Sequence, residues 1–100
     1  MKLLKTVYTP ECASIIRHLP PSIKIPLRLV IEQLGTNPYL GKPLKDEFEG
    51  FSSLRYQRYR VIYRISHQDR VIEILFAGPR TDVYLEFSRL LRKSQTVPKQ

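Results

Sequence analysis

One hundred residues leave room for one sheet and a few helices, and they exclude a separate cofactor domain. The single cysteine, Cys12, excludes an internal disulfide, and no apolar run reaches the roughly 18–20 residues that a membrane-spanning helix needs. Seventeen basic against nine acidic side chains give a net charge of +8, most of it after residue 50, so the expected partner is RNA, DNA or an acidic protein segment.

The opening Met1-Lys2-Leu3-Leu4-Lys5 is too charged for a secretory signal, and with one free cysteine it suits a reducing cytoplasm. Leu3 to Tyr8 ends in β-branched and aromatic residues before Pro10, which predicts a first strand. Thr9 is placed to cap a helix that has Pro10 in its first position and Glu11 in its first turn. Cys12, Ile15, Ile16 and Leu19 recur at helical spacing, and Pro20-Pro21 ends the element. Ser22 is the expected cap of a second helix, with Pro26 in its first turn and an apolar stripe of Ile23, Leu27, Val30, Ile31 and Leu34. Gly35 and Asn37-Pro38 close that helix. Residues 38–50 hold Pro38, Gly41, Pro43 and Gly50 and read as a loop. Three strands follow: Phe51 to Tyr56, Tyr59 to Ser66 and Arg70 to Ala77, joined near Gln57-Arg58 and by His67-Gln68-Asp69. After Gly78-Pro79, Thr81 or Asp82 is the expected cap of a last helix bearing Val83, Leu85, Phe87, Leu90 and Leu91. The order β-αα-βββ-α predicts a single small α+β domain over residues 1–94. Its antiparallel meander is covered by the N-terminal helix hairpin, a C-terminal helix follows, and residues 95–100 are a polar tail.

The run from Leu54 to Ile65 concentrates the charge. Strand side chains alternate between faces, so Arg60, Ile62 and Arg64 share one face and Val61, Tyr63 and Ile65 the other. Arg55, Arg58, Arg60 and Arg64 lie within ten residues with no acid among them. They must meet water, acids from elsewhere, or an anion. Guanidinium forks suit phosphate, and the interleaved Tyr56 and Tyr59 suit stacking on unpaired bases. A solvated strand face with edge-packed tyrosines is the alternative.

Three blocks narrow the choice. Gly41 to Gly50 leads into Leu54-Arg55, then Tyr59 to Ile65, and Ala77-Gly78-Pro79-Arg80-Thr81-Asp82-Val83-Tyr84 follows. In this order and spacing they resemble the RelE branch of the RelE/ParE toxin superfamily, across roughly residues 3–91. The resemblance implies a type II toxin held by an antitoxin, with mRNA cleavage, typically in the ribosomal A site, as its activity. It places the working groups on the sheet face opposite the helix hairpin. Three positions match: an arginine in the Tyr-Arg-Val-Ile-Tyr strand is Arg60, an arginine just after the last strand is Arg80, and a tyrosine in the final helix is Tyr84. Ser52 and Ser53 stand where lysine can occur in the family, which leaves Arg55 as the basic residue of that strand.

Cleavage without a metal uses the ribose 2′-OH as nucleophile on the adjacent phosphorus. Arginine stays protonated and cannot be the base. Arg60 and Arg80 are therefore expected to stabilise the developing negative charge, and Tyr84 to take the proton or stack beside the cut. Arg55, Arg58, Tyr56 and Arg64 are the expected RNA-binding residues. No cofactor and no metal site is expected, because no His/Cys/carboxylate spacing suggests one. Glu73 reads as a salt-bridge partner for one of the arginines, Cys12 as core, and His18 and His67 as distant from Arg60. The expected partners are mRNA, the ribosome and an antitoxin with an acidic amphipathic segment, with no membrane. The competing readings are a ParE-type inhibitor of DNA gyrase and an inactive domain that only binds antitoxin.

Overall fold

The computed structural model describes residues 3–79 and 81–95. In chain order the elements are β1 (Lys5–Tyr8), α1 (Pro10–Arg17), α2 (Pro21–Glu32), β2 (Lys42–Pro43), β3 (Ser52–Tyr56), β4 (Tyr59–Ser66), β5 (Val71–Pro79) and α3 (Val83–Gln95). Single 3₁₀ turns at Gln33–Gly35 and Asp46–Phe48 fill the connections. The sheet order is β1-β5-β4-β3-β2. The expected antiparallel meander is its centre, with Tyr56 opposite Tyr59 across the Gln57-Arg58 turn. Two edges extend it. β1 joins parallel to β5, and β2 pairs antiparallel with β3 inside what reads as plain loop in the sequence.

Thr9 caps α1 as its position predicts: its hydroxyl accepts from the Cys12 N–H at 3.2 Å, and Pro10 fills the first turn. The Thr9 N–H also donates to the Ile74 carbonyl at 3.1 Å, which fixes the hairpin to β5. The second helix departs from expectation. It starts at Pro21, so Ser22 lies inside it and makes no cap, and Pro26 falls beyond the first turn. Pro26 therefore costs one backbone hydrogen bond there. Gly35 is required where the chain leaves this helix, because a Cβ there would lie 2.6 Å from the Leu4 carbonyl oxygen.

Both faces of the sheet are covered. On one, α1, α2 and the 3₁₀ turn after α2 bury Cys12, Ile16, Leu27, Ile31 and Leu34 against Leu54, Val61, Tyr63, Ile72, Ile74 and Ala77. On the other, α3 presses Val83 and Phe87 onto Ile62, with Phe48, Phe51, Leu75, Phe76 and Tyr84 around them. The face opposite the hairpin is thus only partly open. A bulge makes this second cluster. The β4–β5 register steps from Ile62↔Phe76 to Tyr63↔Ile74, leaving Leu75 unpaired. Leu75 and Phe76 then both join the α3 side, while Ile74 and Ala77 stay under the hairpin.

Candidate active site

Arg60 and Tyr84 arrive from different elements. Residues directly opposite in an antiparallel pair share a face. Leu54↔Val61 and Tyr56↔Tyr59 therefore face the hairpin, and Arg55↔Arg60 and Ser53↔Ile62 face α3. Tyr84, in the first turn of α3, comes down onto that second face. The Arg60 Nη1 donates to Ser53 Oγ at 3.3 Å, and the Tyr84 hydroxyl donates to the same Oγ at 3.2 Å. The Arg60 guanidinium carbon lies 5.9 Å from the centroid of the Tyr84 ring, and the Phe48 ring packs against that ring with centroids 5.9 Å apart. Ser53 itself is almost fully buried. One buried hydroxyl thus gathers a guanidinium and a phenol that are 24 residues apart in the chain.

The other expected residues divide. Arg55 is exposed and directly opposite Arg60, a like-charge pair that weakens the sheet unless an anion lies between the two. Arg58 is exposed in the β3–β4 turn, beside Gln57 with its positive φ of 53°. Among the described residues no carboxylate pairs with Arg55, Arg58 or Arg60. Arg64 shares their face but is engaged: Nε and Nη2 reach Glu73 Oε1 at 2.8 and 2.5 Å, over the Phe51 ring. Tyr56 is not brought to this group, since it packs with the hairpin core on the opposite face. Arg80 lies outside the described residues.

Two contributors escape a residue-by-residue reading. Ser53 is one. Lys42 is the other, because β2 sets it directly opposite Ser53, on the Arg60 face. Tyr63 holds β2 in place from beneath. Its buried hydroxyl donates to the Pro38 carbonyl at 2.9 Å and accepts from the Gly41 N–H at 3.0 Å, and burial pushes this phenol above its ordinary range. Gly41 has no space for a side chain, as a Cβ would stand 2.5 Å from the Ser53 carbonyl oxygen. The Gly41-Lys42-Pro43 run was the available signal, but its strand pairing depends on Tyr63, 22 residues away.

The remaining titratable groups lie elsewhere. His18 ends α1, where its Nδ1 meets the Ser14 carbonyl at 2.8 Å, and His67 is exposed in the β4–β5 turn. Cys12 is wholly buried, and desolvation pushes its thiol up to about 12. Among the described residues no group of three or more His, Cys, Asp or Glu side chains could hold a metal ion, and no helix is long and apolar enough to cross a membrane.

The chain is similar to known proteins in sequence and fold. Residues 11–84 match the family described as ParE toxin of type II toxin-antitoxin system, parDE. Toxin RelE of Mycobacterium tuberculosis is 35% identical over 78 residues, covering 76% of this chain and 80% of its own. Toxin RelG of the same organism is 34% identical over 82 residues, covering 77% of this chain and 91% of its own. A chain of the toxin-antitoxin complex RelBE2 from M. tuberculosis superposes with a TM-score of 0.71 at 29% identity, over 78% of this chain and 99% of that one. The family match over most of the chain, the identities and the superposition agree, and the chain belongs to the RelE/ParE superfamily of type II toxin–antitoxin toxins.

Proposed function

We propose that the α3-side face of the sheet is the catalytic surface of a metal-independent ribonuclease that cuts mRNA on the translating ribosome. The observation that carries this reading is the meeting of Arg60 and Tyr84 at the Ser53 hydroxyl, beside Arg55 and Arg58, with which no carboxylate pairs among the described residues. The ribose 2′-oxygen attacks the adjacent phosphorus, the bond from phosphorus to the 5′-oxygen breaks, and the products end in a 2′,3′-cyclic phosphate and a 5′-hydroxyl. Arg60 holds the non-bridging oxygens as negative charge gathers there, with Arg80 as the second cation. Tyr84 takes the 2′-hydroxyl proton or stacks on the neighbouring base, and Lys42 supplies a proton to the departing 5′-oxygen. Arg55 and Arg58 clamp flanking phosphates. Arg64 joins them only by leaving Glu73, and Tyr56 only by stacking a base at the sheet edge.

The partner is an antitoxin with an acidic, amphipathic segment that folds as it binds. A second reading, inhibition of DNA gyrase, rests on the ParE description of the matching family. Inducing the wild type, Arg60→Ala, Arg80→Ala and Lys42→Met in cells separates the two. The ribonuclease reading expects codon-phased new 5′ ends with wild type, reduced about 100-fold or more in the arginine variants. Intact transcripts with altered DNA supercoiling would replace it by the gyrase reading.

A further inference from the structure

The placement of Lys42 is decided from the far side of the sheet. β2 is two residues long, and its second residue, Pro43, has no N–H to give to the ladder. Beyond it the Leu44 N–H donates to the Phe51 carbonyl at 2.9 Å. So short a pairing supplies few bonds of its own, and the loop before it is held by a side chain of β4. Tyr63 is wholly buried in the core under the hairpin. Its hydroxyl donates to the Pro38 carbonyl at 2.9 Å and accepts from the Gly41 N–H at 3.0 Å, so one atom closes both ends of residues 38–41. Burial raises this phenol above its ordinary range, which keeps it a donor to Pro38 at neutral pH. The fit is close, since a Cβ on Gly41 would stand 2.7 Å from the Tyr63 hydroxyl and 2.5 Å from the Ser53 carbonyl oxygen. Lys42 is the next residue. It is exposed and directly opposite Ser53, whose hydroxyl accepts from Arg60. Among the described residues no carboxylate pairs with Lys42.

We propose that Tyr63 is a positioning residue for RNA cleavage: through its bonds to Pro38 and Gly41 it holds Lys42 on the Arg60 face, where the ammonium protonates the departing 5′-oxygen. This inference rests on the ribonuclease reading above. In the step concerned, the electron pair of the bond between phosphorus and the 5′-oxygen goes to that oxygen, and a proton passes to it from the Lys42 ammonium. The lysine is left as a neutral amine and regains its proton from water. Tyr63 touches neither the RNA nor the proton. It lies on the hairpin side and acts on the other face through the backbone of β2. The two tasks of a lysine differ in what they demand of position. Attraction of phosphate acts at a distance and survives a loose strand. Proton transfer needs hydrogen-bond reach, about 2.6–3.2 Å between heavy atoms. Loss of the Tyr63 hydroxyl should therefore spare RNA binding and slow the breaking of the bond.

The test uses the full chain, programmed ribosomes and two synthetic mRNAs, one ordinary and one with sulfur in place of the bridging 5′-oxygen at the cut. A thiol has a pKa of about 8.5, so the thiolate leaves without help from an acid. On ordinary RNA, Tyr63→Phe should cut about tenfold or more slowly than wild type and Lys42→Met about 100-fold or more slowly. The double variant should be no slower than Lys42→Met, because the hydroxyl acts through the lysine. On the sulfur substrate all three should match wild type, whereas Arg60→Ala should be slow on both. The RNA affinity of Tyr63→Phe should equal that of wild type. Gly41→Ala crowds β2 at the sheet edge without altering the core. It should repeat the Tyr63→Phe pattern, and it carries the test where Tyr63→Phe does not fold. Full-speed cutting of ordinary RNA by the folded variant, equal slowing on both substrates, or independent losses in the double variant would overturn the proposal and leave the ribonuclease reading standing. A wild type that cuts neither substrate removes that reading and this inference with it.

Discussion

Arg55 and Arg60 face each other across β3 and β4, and among the described residues no carboxylate pairs with either. Like charges in direct cross-strand register cost the fold a few tenths of a kcal/mol to about 1 kcal/mol. Arg55→Thr, which places a good strand former there, should therefore raise stability by roughly that amount in urea unfolding. RNA affinity should fall in the same variant, and a loss of stability would mean that Arg55 has a structural partner. Cys12 shows the opposite balance, with its thiol spent wholly on packing. Its folded value of about 12 lies above the ordinary 9.0, so the folded state keeps a proton that the unfolded state releases. Its contribution is complete below pH 9 and is lost as the pH rises from there toward 12. Cys12→Ala should cost about 1 kcal/mol at neutral pH from lost packing, and the gap to wild type should narrow through the alkaline range. Parallel curves for the two proteins would contradict this assignment.

At the scale of elements, α3 is the part that brings Tyr84 to the site. Phe87 anchors it, with ring centroids 5.1 Å from Phe51, 5.9 Å from Phe48 and 6.4 Å from Phe76. Phe87→Ala should cost about 3–5 kcal/mol, a large part of the 5–15 kcal/mol that holds a domain of this kind. It should also free Tyr84 from Ser53, so RNA cleavage should fall even where the variant remains folded. A folded variant with full activity would separate Tyr84 from the chemistry. The same elements show what could be read from sequence alone. The Thr9-Pro10 start of α1, the two-residue turn at Gln57-Arg58 and the alternation of Arg60, Ile62 and Arg64 against Val61, Tyr63 and Ile65 are local patterns, and local patterns are legible. The bulge at Leu75 is not, because Val71 to Phe76 offers apolar residues to both faces of a sheet that is covered on both sides. β2 is not, because a two-residue pairing is held by a distant tyrosine hydroxyl. The start of α2 at Pro21 was hidden by Ser22, which has the chemistry of a cap but lies two residues past the cap position, Pro20. For the site, Arg60 and Tyr84 were legible as residue types, whereas their meeting point, Ser53, follows only from register.

For the whole molecule, the sheet works as a partition. One face, under the hairpin, presents Tyr8, Arg17, Lys24 and Arg28, and the other, beside α3, presents Arg55, Arg60 and Lys42. Most of the net charge of +8 lies after residue 50, in the half that carries Arg55 and Arg60. Single-stranded RNA held by three or four of these cations should bind with a log–log salt slope of about −2 to −3, and a flat dependence would mean that phosphate is not the ligand. The central claim, that Arg60 and Tyr84 cleave a phosphodiester through the 2′-oxygen, is tested most directly by the ends of the RNA. Purified wild type and Arg60→Ala should be incubated with mRNA on programmed ribosomes and the fragments weighed by mass spectrometry. The wild type should leave 2′,3′-cyclic phosphate and 5′-hydroxyl ends, formed about 100-fold or more slowly by Arg60→Ala. Fragments carrying 3′-hydroxyl and 5′-phosphate ends, or equal cutting by both proteins, would contradict it.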